Sequence, residues 1–302
     1  MKEKETIILI MSIDTECDKG PGWEIQQPLR FSSVTEGIPQ KLTPLFNSHD
    51  ITPTYLLSPE IIEDEESVEV LQSLKNCELG THLHGEFINS DPETFINRTK
   101  TPQLAYSPEM EFEKLQKLSN AFETAFGYPP KSFRAGRFGI SRHTIKFLED
   151  LGYLVDSSAT PFRKIQFDER HQVNFWGAPY FPYYPSRKDI RKIGRGGILE
   201  VPVSTIIPAY ANLPLFLQRL IGKNPSLIKK LLRKIGYSNK KYELIYLRPL
   251  RASSDSLIEG AEQIIHLWKC NTPPILNIMF HSVEIVPGAS PYAADKAAVE
   301  DL

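Results

Sequence analysis

No run of this sequence approaches the ~20 consecutive apolar residues that a membrane-spanning helix requires, so none is expected. Cysteine is scarce: Cys17, Cys77 and Cys270 are the only three in 302 residues, and they stand far apart. An odd, scattered set of this kind makes neither a disulfide framework nor a zinc cluster, and it points to a reducing compartment. An excess of charge of one sign is also missing. The formal net charge is -2, which argues against nucleic acid as a partner. The start, Met1-Lys2-Glu3-Lys4-Glu5, leads into only a short apolar run, with acids where a signal-peptide cleavage site would fall. These absences lead us to expect a cytoplasmic protein, with a peripheral place at the inner membrane face left open. Proline, by contrast, is abundant, with 24 residues often set in aromatic or polar stretches, which implies shaped loops. With 41% apolar and 24% charged residues, the chain is long enough for one large core.

The apolar pattern alternates short strands with helical segments. Ile7–Ile13, Ile51–Leu57, Glu78–His84, a short segment from Phe133, Tyr153–Val155, Ile198–Val203 and Ile275–Phe280 read as strands. Gly37–His49, Ser67–Lys75, Ser107–Phe126, Ser141–Leu151 and Ala261–Lys269 read as helices. The clearest is Ser107–Phe126, which opens with a Ser-Pro-Glu start and carries Phe112, Leu115, Leu118 and Phe122 at helical spacing. Repeated strand–helix units with polar strand ends predict an α/β architecture, either a parallel barrel or an open parallel sheet. No linker or internal repeat divides residues 1–302, so a single domain is expected.

Two insertions interrupt this pattern. Trp176–Pro185 holds five aromatics and three prolines in ten residues. A proline-stiffened loop can present rings such as Trp176, Tyr180 and Tyr183 to a sugar, or it can pack over the barrel. The second insertion, at about 209–241, is basic and free of acids, with Arg219, Lys223, Lys229, Lys230, Arg233, Lys234, Lys240 and Lys241 among apolar residues at amphipathic spacing. Such a helical segment can lie on an anionic membrane surface through Arg219–Lys241, meet a phosphate-bearing substrate, or cap the barrel.

Chemistry is written at the strand ends. The first strand stops at Asp14-Thr15-Glu16-Cys17-Asp18, three acids at every second position. Acids so close repel one another unless a cation or a shared proton compensates them. Further polar clusters, His82/His84/Glu86, Arg134/Arg137 and His281/Glu284, also end apolar segments. A barrel gathers distant strand ends on one face. His82 and His84 would share a face on a strand, whereas His82 and Glu86 would share one on a helix. Either pair, with a carboxylate from the first strand, gives a two-histidine, one-carboxylate set with open positions, suited to zinc, iron, cobalt or nickel.

In order and spacing these segments resemble the polysaccharide deacetylases of the NodB-homology group of carbohydrate esterases, in particular the branch tied to lipopolysaccharide and surface-glycan synthesis. The resemblance runs from about Ile7 to Tyr292. Ser12-Ile13-Asp14-Thr15-Glu16 is similar to the first motif, with Thr15 where the family has a metal-binding aspartate. Thr35–Pro39 and Ile51–Leu56 also look like these enzymes. His82 matches the first histidine of the second motif, but Glu86 stands at the second position and His84 lies between. Phe133–Gly139 resembles the third motif, with Gly136 in place of the usual proline, and Ile278-Met279-Phe280-His281 the last.

The resemblance implies a distorted seven-stranded NodB-type barrel and a metal-dependent hydrolase of non-peptide carbon–nitrogen bonds that removes an N-acetyl group from a sugar. Asp14 would be the base, Arg134 its orienting partner and His281 the general acid, held protonated by Glu284 or Asp156. Glu16, His82 and His84 would hold a divalent ion, zinc for preference, with Glu86 in reserve and Asp18 a bystander or a loop anchor. We expect Arg137, Trp176, Tyr180, Tyr183 and Glu284 to bind substrate. The implied substrate is an acetamido sugar on a lipid or nucleotide carrier. The alternatives are a catalytically altered glycan-binding protein, a hydrolase of another non-peptide amide, and a scaffold in a membrane complex. His49, His143, His171 and His266 are expected to be surface or packing residues.

Overall fold

The computed structural model describes residues 6–88, 101–225, 227–228, 240–249 and 253–300. Seven parallel strands form its centre: β1 (Ile8–Thr15), β2 (Thr54–Leu57), β3 (Glu78–Leu83), β4 (Ser132–Ala135), β5 (Val155–Asp156), β6 (Leu199–Glu200) and β7 (Ile275–His281). Their spatial order is β6-β5-β4-β3-β2-β1-β7. The sheet curls until its edges meet. Between β6 and β7 no ladder forms, and the seam is spanned instead by Ser204 N–H to the Asn277 carbonyl (3.0 Å), Asn277 N–H to Ser204 Oγ (2.8 Å) and Asn277 Nδ2 to the Val201 carbonyl (3.2 Å). The result is the expected α/β barrel of seven strands, distorted at this seam.

Helices cover the sheet because their apolar faces have nowhere else to go. Helix Pro108–Phe126 is capped by Ser107 Oγ accepting from Met110 N (3.3 Å), and it ends at Gly127 in the left-handed region (φ 79°). Its Leu115, Leu118 and Phe122 pack into one core with Ile13, Tyr55, Leu57, Leu83 and Phe133. The helix expected from Gly37 starts earlier, with a widely wound turn over Ser33–Leu42 followed by Thr43–Ser48. Asp18 accounts for the early start, since its carboxylate accepts from Ser32 N (3.0 Å) and Ser33 N (3.1 Å). The helix expected over Ala261–Lys269 also starts earlier, spanning Ser254–Leu267 from a Ser253 cap.

Three antiparallel ribbons add to the sheet, and a second apolar cluster includes Phe162, Trp176, Ile206, Leu247 and Ile264. One ribbon pairs Thr205–Ile206 with Ile245–Tyr246. The expected basic insertion is described only in part, as helices Pro208–Ala211 and Leu215–Ile221, while residues 226 and 229–239 lie outside the described residues. Arg219, expected on the basic face, turns inward and donates to the carbonyls of Gly177 (3.1 Å) and Arg191 (3.2 Å). Phe216 and Leu220 are exposed on the same helix. Among the described residues no helix is long and apolar enough to cross a membrane.

Candidate metal centre and active site

Strand periodicity builds the site. Ser12, Asp14 and Glu16 alternate with Ile13, Thr15 and Cys17, so all three polar side chains face the barrel mouth. The parallel register sets Asp14 beside His281 and His82 beside Arg134. His84 follows His82 by two residues and faces the same way. Glu16 Oε1 then lies 3.4 Å from His82 Nε2 and 3.2 Å from His84 Nε2, and the two imidazole nitrogens are 3.1 Å apart. All three side chains are buried.

This triangle fits a divalent cation. Ligands about 2.1 Å from a metal stand roughly 3.0–3.4 Å from one another in octahedral or tetrahedral geometry. The outer contacts fit as well. His82 Nδ1 faces the Arg134 carbonyl at 3.0 Å, which fixes the proton on Nδ1 and leaves Nε2 as the donor. His84 Nδ1 faces Glu86 Oε1 at 3.4 Å, and Glu86 is ion-paired with Arg137. Glu86 therefore lies behind His84, which places the reserve ligand in an orienting position. Gly136 permits this packing: a Cβ there would come within 2.4 Å of the Leu83 carbonyl and 3.2 Å of the His84 ring. Arg137 and Phe138, which follow it, both hold left-handed backbone (φ 55° and 58°), a strained conformation that often accompanies functional loops.

Glu16's other oxygen meets a lysine that the sequence reading missed. Lys19 Nζ is 3.1 Å from Glu16 Oε2 and 3.3 Å from Cys17 Sγ, and Lys19 is only 4% exposed. Burial alone would raise the Glu16 pKa, but His84 and Lys19 hold it well below the carboxylate range. Burial pulls His84 down, and the Glu16 charge overrides it and lifts that imidazole to about 9. Lys19 leaves Oε1 as the oxygen facing the histidines.

Asp14 sits beside this triangle. Its Oδ2 is 3.8 Å from His82 Nε2 and 3.9 Å from His281 Nε2, while Oδ1 accepts from Arg134 Nη1 at 2.6 Å. Burial opposes ionisation of Asp14, yet Arg134, His82 and His281 lower its pKa on balance. Arg134 is fully buried and spans the barrel interior. Its Nε donates to the Ser157 carbonyl (2.9 Å) and its Nη2 to Ser12 Oγ (2.7 Å) and Ser157 Oγ (2.9 Å). Ser12 in turn donates to Asn277 Oδ1 (2.7 Å). These serines and Asn277 left one trace in the sequence, as polar residues inside apolar strands.

His281 completes the cluster. Its Nδ1 faces Glu284 Oε1 at 3.0 Å, and Arg248, a second residue missed from sequence, is ion-paired to the same carboxylate oxygen. Trp23 packs its ring edge-on to His281 (centroids 5.1 Å) and also against Tyr292 (5.3 Å). Asp156, the other carboxylate considered for His281, instead pairs with Glu200, its cross-strand neighbour.

The aromatic loop corrects an expectation. Trp176 is buried against Phe162 and Tyr210, and Tyr183 is buried with its hydroxyl donated to the Ile190 carbonyl (2.6 Å). Tyr180 donates to the Leu267 carbonyl (2.6 Å). These contacts fasten the loop to the barrel, Trp176 and Tyr180 through the second apolar cluster and Tyr183 through its hydroxyl. Arg137 and Glu284, expected to bind substrate, are held in the ion pairs with Glu86 and Arg248 described above.

The fold and the donor set define an α/β barrel with a buried candidate divalent-metal centre at the carboxyl ends of its strands. No family model matches the chain, and no curated protein matches it. Several solved structures are similar at low identity. One, from Mycobacterium smegmatis and described as a candidate polysaccharide deacetylase, shares 14% identity over 93% of this chain and 79% of its own, with a TM-score of 0.48. The Puue allantoinase shares 13% over 93% and 80%, with a TM-score of 0.46. A pseudoenzyme of the CE4 family from Bacillus anthracis shares 15% over 51% and 43%, with a TM-score of 0.35.

Proposed function

We propose that this chain is a metal-dependent hydrolase that removes the N-acetyl group from an acetamido sugar carried on a lipid or nucleotide. The observation that carries the reading is the convergence of Asp14 Oδ2, His281 Nε2 and the Glu16/His82/His84 triangle, a free carboxylate oxygen and an imidazole within 4 Å of one donor set. Glu16, His82 and His84 would hold zinc, whose chemistry in such a site is to polarise a carbonyl and make water nucleophilic near neutral pH. Asp14 Oδ2 takes the proton of the attacking water, and Arg134 keeps that carboxylate ionised and aimed. His281 Nε2 gives a proton to the nitrogen as the C–N bond breaks, so acetate and a free amine leave. Glu284 Oε1, 3.0 Å from Nδ1, holds the ring in the orientation that this step needs.

The carrier is argued from the surface. Phe216 and Leu220 are exposed beside a groove of about 590 Å³ lined by Phe162, Trp176, Leu227, Lys164 and Lys223, which offers apolar and cationic contacts together. That combination suits a lipid-linked sugar at an anionic membrane face.

The test is metal analysis of the purified protein with acetate release from a panel of acetamido sugars. Stoichiometric metal with acetate release that Asp14→Asn abolishes is expected. A protein that binds no divalent ion, or releases no acetate from any of the panel when metal-loaded, would overturn the reading.

A further inference from the structure

Beside the acid–base pair lie two buried donors that no acceptor among the described residues satisfies. Tyr246 ends the ribbon strand Ile245–Tyr246, and Arg248 follows two residues on. The Tyr246 hydroxyl is buried and makes no hydrogen bond, and Arg248 Nε is likewise buried without an acceptor. The other end of Arg248 is committed, with Nη2 on Glu284 and 3.0 Å from His281 Nδ1. Buried donors normally find acceptors, and an exception at a barrel mouth marks a place where a ligand supplies one.

The surroundings say which kind of ligand. The Arg163 guanidinium lies 5.1 Å from the Tyr246 ring centroid. The charges of Arg163, Arg248 and Arg134 reach the phenol, while Asp14 is paired with Arg134 and Glu284 with Arg248. Burial keeps the phenol protonated and a donor. A neutral hydroxyl of a sugar could meet one such donor, but two donors, one of them on a charged guanidinium, favour an acceptor with negative charge.

We propose that Tyr246 Oη and Arg248 Nε form a subsite for an acidic group of the substrate, a carboxylate or a phosphate, held beside the scissile amide. The subsite rests on the deacetylase reading only for what else the substrate carries. It narrows that substrate to an acidic acetamido sugar.

Three probes test it: N-acetylglucosamine, N-acetylglucosamine 1-phosphate and N-acetylmuramic acid. The wild type should turn over one of the two acidic sugars with kcat/KM roughly tenfold or more above the neutral one, the difference lying mainly in KM. The acidic sugar that is preferred separates phosphate from carboxylate. Tyr246→Phe, which keeps the ring beside Arg163, should collapse that ratio towards one, with an unchanged melting temperature showing that it folds. No preference in the wild type, or an equal loss on neutral and acidic sugars in the variant, overturns the proposal. Calorimetric binding of glucose 1-phosphate, which carries no acetamido group, separates the two hypotheses. If no acetamido sugar is hydrolysed yet Tyr246→Phe weakens glucose 1-phosphate roughly tenfold, the deacetylase reading fails and the subsite stands. If both proteins bind it equally, the phosphate arm fails.

Discussion

At the residue scale the site depends on how each acid is compensated. Asp14 has Arg134, Glu16 has Lys19, Glu86 has Arg137 and Glu284 has Arg248. Because Asp14 has one oxygen in Arg134's grip and the other beside the donor triangle, Asp14→Asn should lower kcat by about 10²–10⁴ while the metal content is kept, read by steady-state kinetics alongside metal analysis. Glu86 acts through the His84 ring, so Glu86→Gln should weaken metal binding by roughly 10–100-fold, measured by competition with a chelating dye. An unchanged affinity would show that His84 needs no help. Asp14, Glu16, His82 and His84 were legible in the sequence because a two-residue period shows which side chains share a face. Lys19, Arg248 and Tyr246 were not, since their partners are set by loops whose paths no local pattern encodes. Glu16 and His84, each two residues along from Asp14 and His82, meet at 3.2 Å.

At the element scale, β5 and β6 bring Asp156 and Glu200 side by side with both carboxyls buried. Ser158 Oγ donates to Asp156 Oδ1 (2.6 Å) and Ala159 N–H to Glu200 Oε1 (2.9 Å), which leaves one oxygen on each acid to share a proton. Burial and the Asp156 charge raise Glu200 well above its ordinary value. The folded chain therefore holds a proton that the unfolded chain releases. The stability this contributes is complete below the unfolded value near 4.5 and is lost as pH rises through the higher folded value. The melting temperature should accordingly decline from acidic towards alkaline pH, and Glu200→Gln, which imitates the protonated acid, should flatten that decline. A wild-type slope kept by the variant would assign it to other groups. Gly136→Ala, with its Cβ driven against the Leu83 carbonyl, should displace the loop behind His84 and lower metal affinity at nearly normal helix content, seen by circular dichroism with metal titration. Strands and capped helices were readable because caps and apolar periods are local; the ribbons were not, since all but one of their strands have two or three residues and carry no period.

At the scale of the whole molecule, a parallel sheet covered by helices was legible from the alternation of strands and helices. The choice between open sheet and barrel was not, because it turns on contacts between segments more than 70 residues apart. Asn277 makes three of them, accepting from Ser12 and donating to Ser157 Oγ (2.9 Å) and the Val201 carbonyl. Asn277→Ala should cost about 1–3 kcal/mol by leaving these buried groups unmet, read as a lower denaturation midpoint. The seam at this residue has a further consequence for motion. β7 is zipped to β1 over seven register pairs but only buttoned to the β6 side. If the ring loosens it loosens there, and His281 then travels with Asp14 as one jaw while the wall opposite swings away, so that the mouth can widen without unsetting the distance between these two side chains.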